Sequence, residues 1–120
     1  MTKNTSVAGA DAHGGAQVMP AVWLDSLLTG GARTGVPATW FRKTFTVPAS
    51  LRSASLQVTA LGLYECELNG TVVGDMVLAP GWTDYPKRVY VQRYTVTDQL
   101  VPGENVIGLV LGDGWYAGHI

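Results

Sequence analysis

The chain has 120 residues, of which 47% are hydrophobic and 14% charged, and its 8 basic and 9 acidic side chains leave a formal net charge of −1. That length suits one globular domain whose core can stand without metals or disulfides. The near-neutral balance, with no basic run longer than Arg42-Lys43 or Lys87-Arg88, excludes a nucleic-acid partner held by its phosphates, and the single cysteine, Cys66, excludes an internal disulfide.

Residues 1–19 are rich in Ala, Gly, Asn, Thr and Ser without periodicity, which predicts a disordered leader. Residues 20–38 form a connecting segment, in which PAVWLDSLL (Pro20 to Leu28) spaces Trp23, Leu27 and Leu28 for one or two helical turns ended by Thr29-Gly30-Gly31. Such a segment is expected to pack against a sheet edge. No apolar stretch is long enough to cross a bilayer, and the N-terminus lacks the apolar segment of a secretion signal, so no membrane partner and a cytoplasmic location are expected.

From residue 39 onward the texture changes to short β-rich runs separated by Pro, Gly and Asn-Gly. WFRKTFTV (Trp40 to Val47) places Phe41, Phe45 and Val47 on one face, with Lys43 as an exception, and stops at Pro48, which reads as an edge strand. In ASLQVTAL, Leu56, Val58 and Ala60 alternate with polar residues, so one face is buried and the other wet. LYECELN then aligns Tyr64, Cys66 and Leu68 on one face and Glu65 and Glu67 on the other, which makes Cys66 a small core hydrophobe. Asn69-Gly70 tolerates positive φ at both central positions of a type I′ turn, so Glu67 and Leu68 should pair with residues near Thr71 to Val73. RVYVQRYTV reads as a further strand, and the nearly all-apolar NVIGLVLG as the central buried one. Between them Thr97 is expected to cap a single helical turn through Leu100, after which Pro102-Gly103 turns the chain back. The pattern predicts an all-β, jelly-roll-type antiparallel β-sandwich over residues 39–120.

Three segments taken in order carry a family resemblance: WFRKTFTVP, then GLYECELNGTVVGDMVLAPGWTDYPKRVYVQRYTVTD, then LVPGENVIGLVLGDGWYAGHI. Together they resemble the N-terminal β-sandwich module of bacterial α-L-rhamnosidases, inverting glycoside hydrolases that release L-rhamnose and keep catalysis on a separate helical barrel. The Asn-Gly hairpin and the P-G-E-N stretch alone are also similar to sugar-binding jelly rolls of the β-galactosidase and β-glucuronidase type. VLAPGWTDY and LGDGWYAG, whose Trp, Tyr and Gly placement a generic jelly roll does not require, favour the rhamnosidase module. The resemblance implies a non-catalytic accessory module whose partners are the catalytic barrel and a rhamnose-containing glycoside. A free-standing carbohydrate-binding module is the alternative. It also implies further strands past Ile120, so the module is expected to be incomplete, with NVIGLVLG short of neighbours and open edges prone to association.

Two glycine-flanked aromatic segments are the candidate sugar contacts: Trp82, Asp84 and Tyr85 in GWTDY, and Asp113, Trp115 and Tyr116 in GDGWYAG. Aromatic rings stack on the apolar C–H faces of sugars while neighbouring carboxylates take the hydroxyls. The competing expectation is that Trp82 and Trp115 plug the end of the sandwich or the seam to a neighbouring domain. Glu65 and Glu67 could mimic the carboxylate pair of a glycosidase, but two residues apart on one strand they read as a solvated face, and Asp75, Asp84 and Asp113 sit in turns where Asp bonds to local backbone. The family resemblance brings calcium into view, with Asp84 and Asp113 as the donors this chain could offer; no other cofactor is expected. His13, His119 and Cys66 do not form a zinc constellation.

Overall fold

The computed structural model of the protein describes residues 37–117. The leader, the Trp23 segment and His119 lie outside that range. Within it the strands are β1 (Thr39–Val47), β2 (Ser55–Val58), β3 (Leu63–Leu68), β4 (Thr71–Val72), β5 (Gln92–Thr95) and β6 (Gly103–Gly112), with a 3₁₀ turn at Thr97–Gln99 and one helical turn, α1, at Gly114–Ala117. All pairing is antiparallel. A four-stranded sheet runs in the order β1-β6-β3-β4, and a two-stranded sheet pairs β2 with β5.

The alternation in the sequence fixes which faces meet. Leu56 and Val58 from β2, Tyr64, Cys66 and Leu68 from β3, and Ile107 and Leu109 from β6 are all buried and form one cluster with Ala54, Ala60, Val73, Ala79 and Val96. Each of the larger aliphatic side chains contributes about 1.5–3 kcal/mol by leaving water. The two sheets are also joined by a polar relay: the Tyr64 hydroxyl on β3 lies 3.2 Å from that of Tyr94 on β5 and donates to Gln92 Oε1 at 3.3 Å, while Gln92 Nε2 donates to the Pro80 carbonyl. Asn69 (φ 51°) and Gly70 (φ 78°) close the expected hairpin, pairing Glu67 with Val72 and Leu68 with Thr71.

Three expectations need correction. β6 has β1 on one side and β3 on the other, so NVIGLVLG is central but does not lack neighbours. The strand expected across RVYVQRYTV is confined to Gln92–Thr95, because β2 offers only Ser55–Val58 as a pairing partner. Thr97 does not cap its turn: its hydroxyl accepts from the Ala54 amide at 3.0 Å and so ties the turn to the start of β2. Lys43 is the exception expected on the inward face of β1: it shares that face with Phe41 and Phe45 yet is exposed, while both phenylalanines are half-buried.

At the β6 N-terminus a buried amide organises the loops. Asn105 has no exposed surface and makes four hydrogen bonds: Nδ2 donates to the carbonyls of Val101 (2.7 Å) and Gly103 (2.9 Å), and Oδ1 accepts from the Val101 amide (2.9 Å) and Asn69 Nδ2 (2.8 Å). Asn69 in turn accepts from the Val106 amide and donates to the Gln99 carbonyl. One side chain thus fastens the hairpin to the β5–β6 connection.

Candidate functional site

The chain leaves β6 at Gly112 and enters α1, while the loop that precedes β5 passes through Gly81 to Lys87. These segments meet at one end of the sandwich. Tyr85 and Tyr116 pack edge to face with ring centroids 5.2 Å apart and planes at 81°, so the two aromatic segments picked out in the sequence share one rim. Gly62 (φ 102°) makes that approach possible, because a Cβ there would lie 2.3 Å from the Gly112 carbonyl oxygen and 2.8 Å from that of Asp113.

The individual side chains divide by exposure. Trp82 is 71% exposed and Trp115 41%, so neither indole is plugged into the core. Asp113 is exposed, and the carbonyl of this residue accepts from the Ala117 amide as α1 closes. Asp84 is held locally: its carboxylate meets Lys87 Nζ at 2.7 Å, and its carbonyl accepts from the amides of Lys87 and Arg88. Tyr85 and Tyr116 are half-buried. Sequence reading passed over Thr83, which is 7% exposed; its hydroxyl and that of Tyr85 are both buried without a hydrogen-bond partner. Buried hydroxyls of this kind are ordinarily satisfied by an enclosed water.

Next to this rim runs an apolar loop. Ala79 and Pro80 are buried and anchored by the Tyr64 amide, which donates to the Ala79 carbonyl at 2.8 Å, whereas Met76, Val77 and Leu78 project with exposures of 48%, 83% and 53%. Leu78 lies in the left-handed region at φ 57°, a conformation disfavoured for a leucine and retained here by its anchored neighbours.

The described residues offer little for catalysis. No group of three His, Cys, Asp or Glu converges among them, so Asp84 and Asp113 do not make a calcium ligand set with other carboxylates. Burial, reinforced by the charge of Glu67, pushes the Cys66 thiol up to about 12, which keeps it protonated and un-nucleophilic at neutral pH. Glu65 is exposed and Glu67 half-buried on the outer face of β3, away from the rim. Among the described residues no helix is long and apolar enough to cross a membrane.

Comparison with known proteins agrees with the resemblance drawn from the sequence. The family described as "Alpha-L-rhamnosidase N-terminal domain" matches residues 49–120. The α-L-rhamnosidase of Streptomyces avermitilis is 49% identical over 84 residues, which cover 69% of this chain and 8% of that protein. The crystal structure of the Aspergillus terreus α-L-rhamnosidase superposes with a TM-score of 0.70 at 36% identity over 98% of this chain and 12% of that one. The Streptomyces avermitilis enzyme complexed with L-rhamnose gives a TM-score of 0.66 at 46% identity over 70% of this chain and 8% of that one. The chain therefore spans about a tenth of the length of the proteins it matches.

Proposed function

Because the chain belongs to the alpha-L-rhamnosidase N-terminal domain family, we propose that it serves a rhamnoside-hydrolysing enzyme as a non-catalytic module, supporting the catalytic helical barrel and presenting the Trp82–Tyr85 and Asp113–Tyr116 rim to a rhamnose-containing glycoside. The single observation that carries the reading is the edge-to-face contact of Tyr85 with Tyr116, which draws both aromatic segments together while Trp82 stays open to solvent. Exposed indoles on two segments that also carry the exposed Asp84 and Asp113 are suited to an L-rhamnose ring, which has an apolar C–H face and a hydroxylated edge. The exposed Met76, Val77 and Leu78 favour a role against another protein layer as well, since aliphatic side chains give sugars neither a stacking plane nor hydrogen bonds. A cytoplasmic location belongs to the same reading and is supported by the lone, buried thiol.

Isothermal calorimetry of the chain with L-rhamnose, with and without a chelator, tests the sugar-binding part. Saturable heat lost in Trp82→Ala and Trp115→Ala supports it, and chelator sensitivity adds calcium. The absence of heat in every arm removes the sugar site and leaves only the supporting role.

A further inference from the structure

The Asn-Gly pair that turns the β3–β4 hairpin is also a reactive sequence. In an unconstrained chain the backbone nitrogen of a glycine, unhindered by a side chain, attacks the side-chain carbonyl carbon of a preceding asparagine. The chain has three asparagines, and Asn69 alone precedes a glycine. Asn69 and Gly70 are both exposed, so burial does not keep water from either.

The fold instead holds the electrophile still. Asn69 is pinned by four hydrogen bonds. Its backbone amide donates to the Val106 carbonyl at 2.9 Å and Oδ1 accepts from the Val106 amide at 2.9 Å, while Nδ2 donates to the Gln99 carbonyl at 2.9 Å and to Asn105 Oδ1 at 2.8 Å. Every partner lies on β6 or on the connection that leads into it. Because β6 and β4 flank β3 on opposite sides, these bonds draw the side chain away from the path the backbone takes through Gly70 into β4. The Val106 N–H polarises the Asn69 carbonyl, which favours attack, but swinging Cγ onto the Gly70 nitrogen requires all three side-chain bonds to break. At their ordinary net strength, three such bonds lower the population of the reactive rotamer about a hundredfold.

We propose that Asn69 is a covalent modification site gated by the fold: it stays an amide while its clasp on β6 is closed and becomes an acid once the hairpin opens. The Gly70 nitrogen gives its proton to hydroxide and bonds to Asn69 Cγ. The Cγ–Nδ2 bond then breaks, and the nitrogen leaves as ammonia with a proton from water. Water opens the cyclic imide at either carbonyl, giving aspartate or isoaspartate. The net change consumes water and releases ammonia, and nothing is oxidised or reduced. The product cannot restore the clasp. A carboxylate has no N–H, so acceptor faces acceptor at the Gln99 carbonyl and at Asn105 Oδ1, and Asn105 is fully buried. Isoaspartate also routes the backbone through the β-carbon and lengthens a two-residue turn. The modification is therefore a one-way record that a molecule has opened.

The test is peptide mapping by mass spectrometry of the chain held in mildly alkaline buffer with and without urea. Conversion of Asn69 is expected to be at least about a hundredfold slower in the folded chain than in urea. In urea, Gly70→Ala slows it, because the attacking nitrogen is then hindered. Without urea, Asn105→Ala speeds it about tenfold, since one clasp bond is gone and the loop carrying another is loosened; if that variant fails to fold, it converts at the urea rate. Asn69→Asp lowers the urea midpoint. Equal rates in folded and unfolded chains, no conversion in urea, or an unslowed Gly70→Ala overturns the proposal. So does a folded Asn105→Ala that converts no faster than the wild type, or an Asn69→Asp variant with an unchanged midpoint.

Discussion

Asn105→Ala should cost far more than the loss of one surface amide would suggest. The substitution strands the Val101 amide, the Val101 carbonyl and the Gly103 carbonyl at once, while Asn69 Nδ2 keeps its bond to the Gln99 carbonyl. An abandoned buried polar group costs about 1–3 kcal/mol. Val101 and Gly103 lie near solvent, so the lower end applies to each, and the sum is about 3 kcal/mol, a large share of the roughly 5–15 kcal/mol that holds a domain folded. Urea unfolding followed by tryptophan fluorescence reads this as a lower midpoint at unchanged slope. Asn69→Gly keeps the positive-φ turn and removes the partner amide, so a double-mutant cycle of the pair should show a coupling of about 0.5–3 kcal/mol. A destabilisation by Asn105→Ala below about 1 kcal/mol, or strict additivity of the pair, would refute the reasoning.

Alkaline pH should destabilise the fold. Burial raises the Cys66 thiol from 9.0 to about 12, and burial together with the neighbouring Tyr94 hydroxyl raises Tyr64 well above the ordinary tyrosine range. The folded state therefore keeps protons that the unfolded chain gives up. Stability is fully present below about pH 9 and falls above it, by at most about 1.4 kcal/mol per pH unit for each group. A urea midpoint that stays constant from pH 8 to about pH 11 contradicts this, and Cys66→Ala should delay the onset toward the tyrosine range. Gly74→Ala places a Cβ 2.2 Å from Tyr94 Cε1 at a φ of 79°, so the ring must leave the Tyr64 relay. A loss of about 2–4 kcal/mol in the same assay is expected, and a thermally unchanged variant counts against the relay.

How much of this was readable beforehand depended on whether one strand's own pattern sufficed. β1, β3 and β6 were legible because alternation assigns each side chain to a face without reference to a partner. The Asn69-Gly70 hairpin was legible because its turn chemistry is local. RVYVQRYTV misled because strand propensity persists where no partner strand exists; at Tyr90 the carbonyl bonds to the Thr59 hydroxyl instead of a ladder. Asn105 left a signal that went unused, since it occupies an inward-facing position in register with Ile107 and Leu109, where a polar residue demands partners. At the rim, the aromatic segments could be named from composition, but their meeting is a product of register. β6 delivers Asp113 beside Gly62, and no spacing along the chain encodes that. The left-handed Leu78 and the buried Thr83 hydroxyl had no counterpart in the sequence pattern at all.

Lys43 acquires a use from the unequal width of the two layers. Among the described residues β1 is an outer strand with one row of backbone groups unpaired, and its flanking Phe41 and Phe45 offer apolar surface to a neighbouring molecule's strand. Any strand laid alongside would trap the ammonium of Lys43 between two phenyl rings and strip its water. A single cation at this border opposes edge-to-edge pairing, and its replacement by a neutral residue of equal length is expected to leave the fold intact while raising the light scattering of the concentrated protein.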